Sequence, residues 1–457
     1  MLVRFNVENF LSFRDREVFS LLPGKGTLKP QHKSKAVKDI SVLKAAVIYG
    51  ANASGKSNLI KAIEFGKELV LEGTKTEQPI IYDVFKLDEK SIKANSRIEY
   101  EIQHNGKNYA YGFVFDSKRI LEEWLYIISK KSEIKVFERK ETKYFDLNYL
   151  FKFNKKEREK QFLNFTAQAT PNNQLFLTEI RTRKVKENVS DISDVLNVID
   201  WFQNALTVIY PNSKSIGKKF ELKENTDLQK LFAEMLEYFD TGIDGIEFQK
   251  VDIEKLEIPE TIIKQTKNDL LSEKSEKNRE FLLNPIDNKY YIISRTKDNA
   301  LEAELLKTKH KVRGGSFELF DLKDESDGTR RIMDLITMII DFFKGGNVFV
   351  VDEIERSLHP NLIKDLFDFM LSQCSNVNSQ LIVASHESTL LTQKILRKDE
   401  IWFVVKDKQG ASHLHSLEDY NIRFDKEIMR DYLLGRYKGV PKFGNRNNIS
   451  TLANQAN

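Results

Sequence analysis

The chain predicts an α/β fold, with a phosphate-binding loop at the end of one of its strands. Three stretches predict it. Leu43–Tyr49 (LKAAVIY) is a short apolar run with the length and branching of a buried strand, followed by Gly50-Ala51-Asn52-Ala53-Ser54-Gly55-Lys56-Ser57. Val348–Val351 is a second apolar run, ending in the adjacent carboxylates Asp352 and Glu353. Leu381–Ser385 is a third, ending at His386. Apolar runs of this length read as buried strands.

The glycine-rich segment matches G-x-x-x-x-G-K-[ST], and its surroundings fit. Apolar residues at helical spacing (Leu59, Ile60, Ala62, Ile63, Phe65, Leu69, Val70) predict a helix over 58–70. In a strand, glycine-rich turn and helix, the glycines let backbone N–H groups approach phosphates, and the helix N-terminus favours negative charge there. Gly50, Asn52, Ser54, Gly55 and Asn58 are therefore candidate nucleotide-binding positions. Lys56 is expected at the β- and γ-phosphates and the Ser57 hydroxyl on Mg²⁺, making ATP and Mg²⁺ the expected ligands.

The distant carboxylates complete the chemistry. A buried strand ending in Asp is the usual second contact to Mg²⁺, which assigns Asp352 as a metal ligand beside Ser57. Glu353 is placed to polarise an attacking water as general base. His386, at the end of another apolar strand, is a candidate sensor of the γ-phosphate; a structural histidine is the plainer alternative. Glu325-Ser326-Asp327-Gly328-Thr329-Arg330-Arg331 precedes an apolar helix expected over 332–343. Ser326 is a candidate N-cap, Gly328 permits close backbone approach, and together they head a helix N-terminus that can accept a phosphate.

The remaining elements divide the chain into four parts. Residues 1–140 read as the first lobe of the domain. Its strands include Ser96–Gln103 and Tyr109–Phe115, separated by the hairpin signal Asn105-Gly106. Residues 141–290 are rich in Lys and Glu. Helical patterns at Asn154–Phe162 and Asp227–Tyr238, and a charged stretch at Ile262–Phe281, predict a mainly helical insertion. Residues 291–410 return to α/β alternation and form the second lobe. Residues 411–457 are a tail whose Asn/Gln-rich end, Asn445–Asn457, is expected to be disordered.

Composition narrows the function classes. With 40% hydrophobic and 31% charged residues, and no run of 18 apolar residues, the chain reads as soluble and without a membrane span. Strand-like sequence directly after Met1 leaves no room for a signal peptide. The single cysteine, Cys374, excludes an internal disulfide and a cysteine-rich zinc site, in keeping with the cytoplasm. Net charge is +4, and the basic residues Lys130, Lys131, Lys155, Lys156, Arg181, Arg183, Lys184, Lys218 and Lys219 are interleaved with acidic ones. A solvated face of mixed charge is the first expectation and a nucleic-acid surface the second.

In order and spacing these motifs resemble the ABC-type ATPases of the group that includes SMC proteins, RecF and the OLD family. Ser326-Asp327-Gly328 is similar to their signature, Asp352-Glu353 to the Walker B pair, Ser357-Leu358-His359-Pro360 to the D-loop and His386 to the switch histidine. The opening Val3–Phe13 is similar to the first strand of the group. The signature has Ser-Asp-Gly where transporters have Ser-Gly-Gly, and Glu123 stands where a Q-loop glutamine is sought. Phe85–Glu89, Glu123–Tyr126, Asn173–Leu177, Ser385–Glu387 and Tyr432–Pro441 resemble the RloA/AbiLii-like ATPases of bacterial anti-phage and abortive-infection loci, as does the ATPase subunit of PARIS-type systems.

That resemblance implies a P-loop NTPase of ABC/SMC-head type with an insertion between P-loop and signature. It also implies a homodimer or higher oligomer with composite ATP sites, and a separate effector, often a nuclease. Only 71 residues follow His386, too few for the nuclease domain that OLD proteins append. A DNA-repair ATPase of SMC-like or RecF type, and an ATP-bound scaffold with little turnover, are the alternatives.

Overall fold

The structure is a computed structural model. It describes residues 1–75, 77–213, 222, 223, 225–253, 256, 258–271, 280–283, 289–295, 300–420 and 427–440. The chain forms two compact units. The first comprises Met1–Pro211, Phe342–Glu355 and the chain from Ile363 on, and the second comprises Asn212–Asp341 and Arg356–Leu362.

The first unit contains two sheets. One is a seven-stranded antiparallel sheet in the order β2-β1-β4-β5-β6-β7-β8. Its strands are β1 (Leu2–Glu8), β2 (Glu17–Ser20), β4 (Ser96–His104), β5 (Lys107–Phe115), β6 (Ile120–Ile128), β7 (Glu133–Lys140) and β8 (Tyr144–Asp146). β4 buries alternate residues, as a strand with one face on a core must. Its turn to β5 places Asn105 at φ 47° and Gly106 at φ 74°, the two positive angles a tight hairpin demands.

The other sheet has six strands in the order β18-β17-β3-β16-β15-β9. They are β3 (Ala45–Tyr49), β9 (Leu206–Ile209), β15 (Val348–Val351), β16 (Gln380–Ala384), β17 (Ile401–Lys406) and β18 (Ser412–Ser416). β17, β3, β16, β15 and β9 run parallel, and only β18 is antiparallel. Every residue of β3, β15 and β16 is buried, which explains why their sequences are apolar apart from Gln380 at the start of β16. The helix Lys56–Leu71 buries Leu59, Ile60, Ala62, Ile63, Leu69 and Val70, the face that its spacing marks out. Gln380 fastens the two sheets: Leu2 N–H donates to its Oε1 at 2.8 Å, and its Nε2 donates to the Leu2 and Leu43 carbonyls at 3.0 and 2.7 Å.

The second unit contains β10 (Gly245–Val251), β11 (Glu280–Leu283), β12 (Tyr291–Arg295), β13 (Leu301–Lys311) and β14 (Phe317–Asp321), joined antiparallel in the order β10-β13-β12-β11 with β14 on β13. Leu256, Ile258, Tyr291, Ile293, Ala303 and Leu305 form its small core. The helix Thr226–Tyr238 belongs to this unit.

This division differs from the one expected. Residues 141–290 hold the helices Asn148–Phe153, Glu157–Gln168, Phe176–Thr182, Ser193–Asp200, Thr226–Tyr238 and Glu260–Leu271, but also β8, β9, β10 and β11. Residues 148–211 join the first unit, and β12 to β14 join the second because they pair with its sheet. β10 alternates buried or half-buried with exposed residues, so its Glu247 and Gln249 face solvent. A half-exposed strand of this kind carries a charge content that composition alone reads as helix. Lys218, Lys219, residues 272–279 of the charged stretch and the tail end Asn445–Asn457 lie outside the described residues. Among the described residues, no helix is long and apolar enough to cross a membrane.

Candidate nucleotide site

Three parallel strands deliver the candidate residues to one edge of the first unit. β3 runs into the loop 50–57, β16 into His386, and β15 into Asp352 and Glu353. β16 lies between the other two, so His386 leaves the sheet between the loop and the carboxylates. Sites of α/β proteins form at the carboxyl ends of their strands for this reason.

The loop depends on its glycines. A Cβ on Gly50 would lie 2.4 Å from Ser54 Oγ and 2.5 Å from the Val404 carbonyl oxygen. Gly55 has φ 115° and heads the helix Lys56–Leu71; a Cβ there would lie 2.4 Å from Ser412 Oγ and 2.7 Å from Ser12 Oγ. Ala53 is also left-handed, at φ 60°. Asn52 is exposed at the tip, whereas Ser54, Gly55 and Lys56 are buried. The first N–H groups of the helix have no partner within it, which suits the end for an anion.

Lys56 Nζ donates to the carbonyls of Gly50 at 2.9 Å and Ala51 at 3.3 Å and lies 3.5 Å from His386 Nδ1. Burial pushes its pKa down to about 8, against the pull of Asp352, Glu355 and Glu353. Asp352 is 5% exposed, and its Oδ1 is buried without a hydrogen-bond acceptor's usual donor. Burial, then Glu353, raise the Asp352 pKa, while a hydrogen bond from Ser57 and the Lys56 charge oppose the rise. Glu353 is half-buried and takes φ 45°, an uncommon angle for a residue with a Cβ. His386 is exposed; partial burial of its ring and then Lys56 lower its pKa, opposed by Glu355, Glu353 and Asp352.

The donor set fits a divalent cation in the presence of phosphates. A buried carboxylate oxygen in want of a partner lies on the same residue that Ser57 approaches. Among the described residues, no group of three or more His, Cys, Asp or Glu could hold a metal alone. Magnesium commonly takes one or two protein ligands and completes its shell with substrate phosphates and water.

Ser326 and Gly328 lie in the second unit. Ser326 Oγ accepts from Thr329 N–H at 3.0 Å and meets Thr329 Oγ1 at 2.8 Å, capping the helix Asp327–Lys344. A Cβ on Gly328 would lie 2.7 Å from the Ser357 carbonyl oxygen, so this glycine permits contact between two segments similar to the signature and the D-loop. Glu123 is fully buried on β6, where its carboxylate accepts from Phe176 N–H at 2.6 Å, Leu177 N–H at 3.1 Å and Tyr111 Oη at 3.0 Å. It is fully engaged in holding a helix to the antiparallel sheet.

Several neighbours escaped the sequence reading. Ser412 Oγ lies 2.6 Å from the Ser54 carbonyl oxygen and 2.8 Å from Ser12 Oγ, and Asn58 Nδ2 donates to Ser12 Oγ at 2.8 Å. Segments around residues 12, 54 and 412 thus meet under the loop, and nothing local in the sequence marks Ser412. The chain beyond β18 also returns to the loop. Tyr432 and Tyr437 stack on Phe403 at 5.7 and 5.1 Å, Tyr432 lies 5.7 Å from Tyr49, and a Cβ on Gly439 would be 3.7 Å from Gly50 Cα.

The sheet order, the loop and the strand-end carboxylates define a P-loop NTPase. Residues 45–392 match the family described as "AAA domain, putative AbiEii toxin, Type IV TA system", and the chain belongs to that family. Among solved structures, the SMC head domain from Thermotoga maritima is similar at 11% identity and a TM-score of 0.37, covering 91% of this chain and 98% of that one. An SMC head bound to the C-terminal winged-helix domain of ScpA is similar at 13% identity and a TM-score of 0.38, covering 91% and 97%. No curated protein matches the chain.

Proposed function

We propose that this protein binds and hydrolyses ATP and acts as the sensor or switch of an anti-phage, abortive-infection system, controlling a separate effector through ATP-dependent oligomerisation. The observation that carries the ATPase reading is the buried Asp352, with one oxygen free, beside Ser57, Lys56 and Glu353. Lys56 leaves the Gly50 and Ala51 carbonyls for the β- and γ-phosphates. The backbone of Gly50, Asn52, Ser54, Gly55 and Asn58 wraps them. Ser57 and Asp352 would hold Mg²⁺, which would supply charge neutralisation at the phosphates. Glu353 takes a proton from the attacking water, and His386 reports the presence of the γ-phosphate.

Ser326 and Gly328 of one protomer face the nucleotide of the other, so ATP stabilises a dimer and hydrolysis releases it. The stacking of Tyr432 and Tyr437 on Phe403, and the approach of Gly439 to Gly50, support the tail as the segment that passes this state to the effector. The effector is proposed as a nuclease and the compartment as the cytoplasm; nucleic acid is a further candidate partner. The family match supports the defence setting by its description alone.

The test is steady-state ATP turnover of the wild type, Lys56→Ala and Glu353→Gln. The proposal expects turnover in the wild type and its loss in both variants. Equal turnover in all three sinks it.

A further inference from the structure

The ladder between β15 and β16 ends at the pair Val351 and Val383. Beyond it the chain after β15 turns through 352–357, with Glu353 in the left-handed region at φ 45°. Such a conformation persists in a residue with a Cβ only where the surroundings fix it. Asp352 N–H ties the start of the turn to the Ile209 carbonyl at 2.8 Å, and a second contact reaches the turn from another strand end. Glu355 Oε1 accepts from the backbone N–H of His386 at 2.5 Å, across 31 residues of sequence. The bond continues the ladder past the strand ends, with a side chain in place of a backbone carbonyl.

From this geometry we propose that Glu355 is a positioning residue, one that holds the turn carrying Glu353 and the start of the segment carrying His386 in fixed register. The proposal rests on the ATPase reading above and adds a residue to it. His386 Nδ1 lies 3.5 Å from Lys56 Nζ, so Glu355 acts through His386 on the third strand end as well. The other carboxylate oxygen of Glu355 is buried without a hydrogen-bond partner. Truncating the side chain therefore breaks the bond to His386 and leaves the local turn bonds, Glu387 N–H to Ser385 Oγ and Thr389 N–H to Glu387 Oε1, intact. The Glu355 carboxylate also opposes the lowering of the Lys56 and His386 pKa values, which places its charge within the site.

The substitutions are Glu355→Ala, which removes the acceptor, and Glu355→Gln, which keeps one oxygen that can accept the same N–H. The first readout is hydrogen exchange of the full chain without nucleotide, followed in a peptide beginning two residues before His386, so that its amide is retained. Glu355→Ala is expected to exchange there about tenfold faster than wild type, and Glu355→Gln to stay within about threefold. The second readout is ATP turnover. Glu355→Ala is expected to lower kcat about tenfold or more with KM changed less than about threefold, and Glu355→Gln to recover most of the loss. Unchanged exchange in Glu355→Ala means the bond is not made, and the proposal fails. Faster exchange with unchanged kcat, a loss confined to KM, or a Glu355→Gln variant as slow as Glu355→Ala each overturns the positioning role. A wild type without turnover would sink the ATPase reading and the role in turnover with it, while the exchange result would still decide whether the bond exists.

Discussion

Ser412→Ala tests whether the loop 50–57 is clamped from below by residues distant in sequence. Ser412 is fully buried, and its Oγ lies 2.6 Å from the Ser54 carbonyl oxygen and 2.8 Å from Ser12 Oγ. A hydroxyl has one proton, so it donates to one of them at a time. Alanine removes that donor and leaves a carbonyl of the loop facing a dry, apolar neighbour. An unsatisfied buried acceptor costs about 1–3 kcal/mol. If that cost falls on the closed loop alone, the open form gains about 5- to 150-fold in population, and amide exchange over 50–57 speeds up by the same factor. ATP affinity falls by no more than this factor, because binding has to close the loop again. Hydrogen exchange with mass detection reads the first effect and calorimetric titration with ATP the second. Exchange within about twofold of wild type over the loop would refute the clamp, since even the low end of the range is larger.

Two further predictions concern other parts of the molecule. In Gly328→Ala the new methyl meets the Ser357 carbonyl oxygen at 2.7 Å, a backbone atom that cannot swing aside, so the junction should lose about 1–3 kcal/mol. ATP binding by the first unit should survive while ATP-dependent association is weakened, read by calorimetry and solution mass. His413 has its pKa lowered by burial but raised further by hydrogen bonds to Glu17 and Asp407, at 2.7 and 3.3 Å, and ends above the ordinary histidine value. Its stabilising effect is therefore complete below the unfolded pKa of about 6.5 and is lost as pH rises through the higher folded value. Melting temperature should fall less between pH 6 and 8 in His413→Gln than in wild type; an identical fall would refute the assignment.

How far the sequence could be read follows from how local each feature is. The loop 50–57, β3 and the helix behind it are contiguous, and glycine spacing with apolar runs sufficed to locate them. β15 and the Leu381–Ala384 part of β16 were legible because strands buried on both faces are mostly apolar. The hairpin at Asn105-Gly106 was legible because so few residues tolerate two successive positive φ angles. In the second unit's sheet, β10 and β11 were missed. β10 exposes one face, and its charged side chains helped give 141–290 the composition of a solvated helix. Ser412 was missed because its partners are 358 and 400 residues away. Glu355 sat in plain view two residues after Glu353, but its partner lies on another strand end, which only the order β3-β16-β15 brings alongside.

In the proposed switch, ATP held by the first unit and completed by the signature of a second copy makes the assembly. Solution mass of Glu353→Gln by light scattering, with and without ATP and Mg²⁺, tests it most directly. The account predicts a stable larger assembly with ATP and a smaller species without it, because binding is retained while the step that releases the dimer is blocked. A mass that does not respond to nucleotide, in a variant shown by titration to bind ATP, would contradict it.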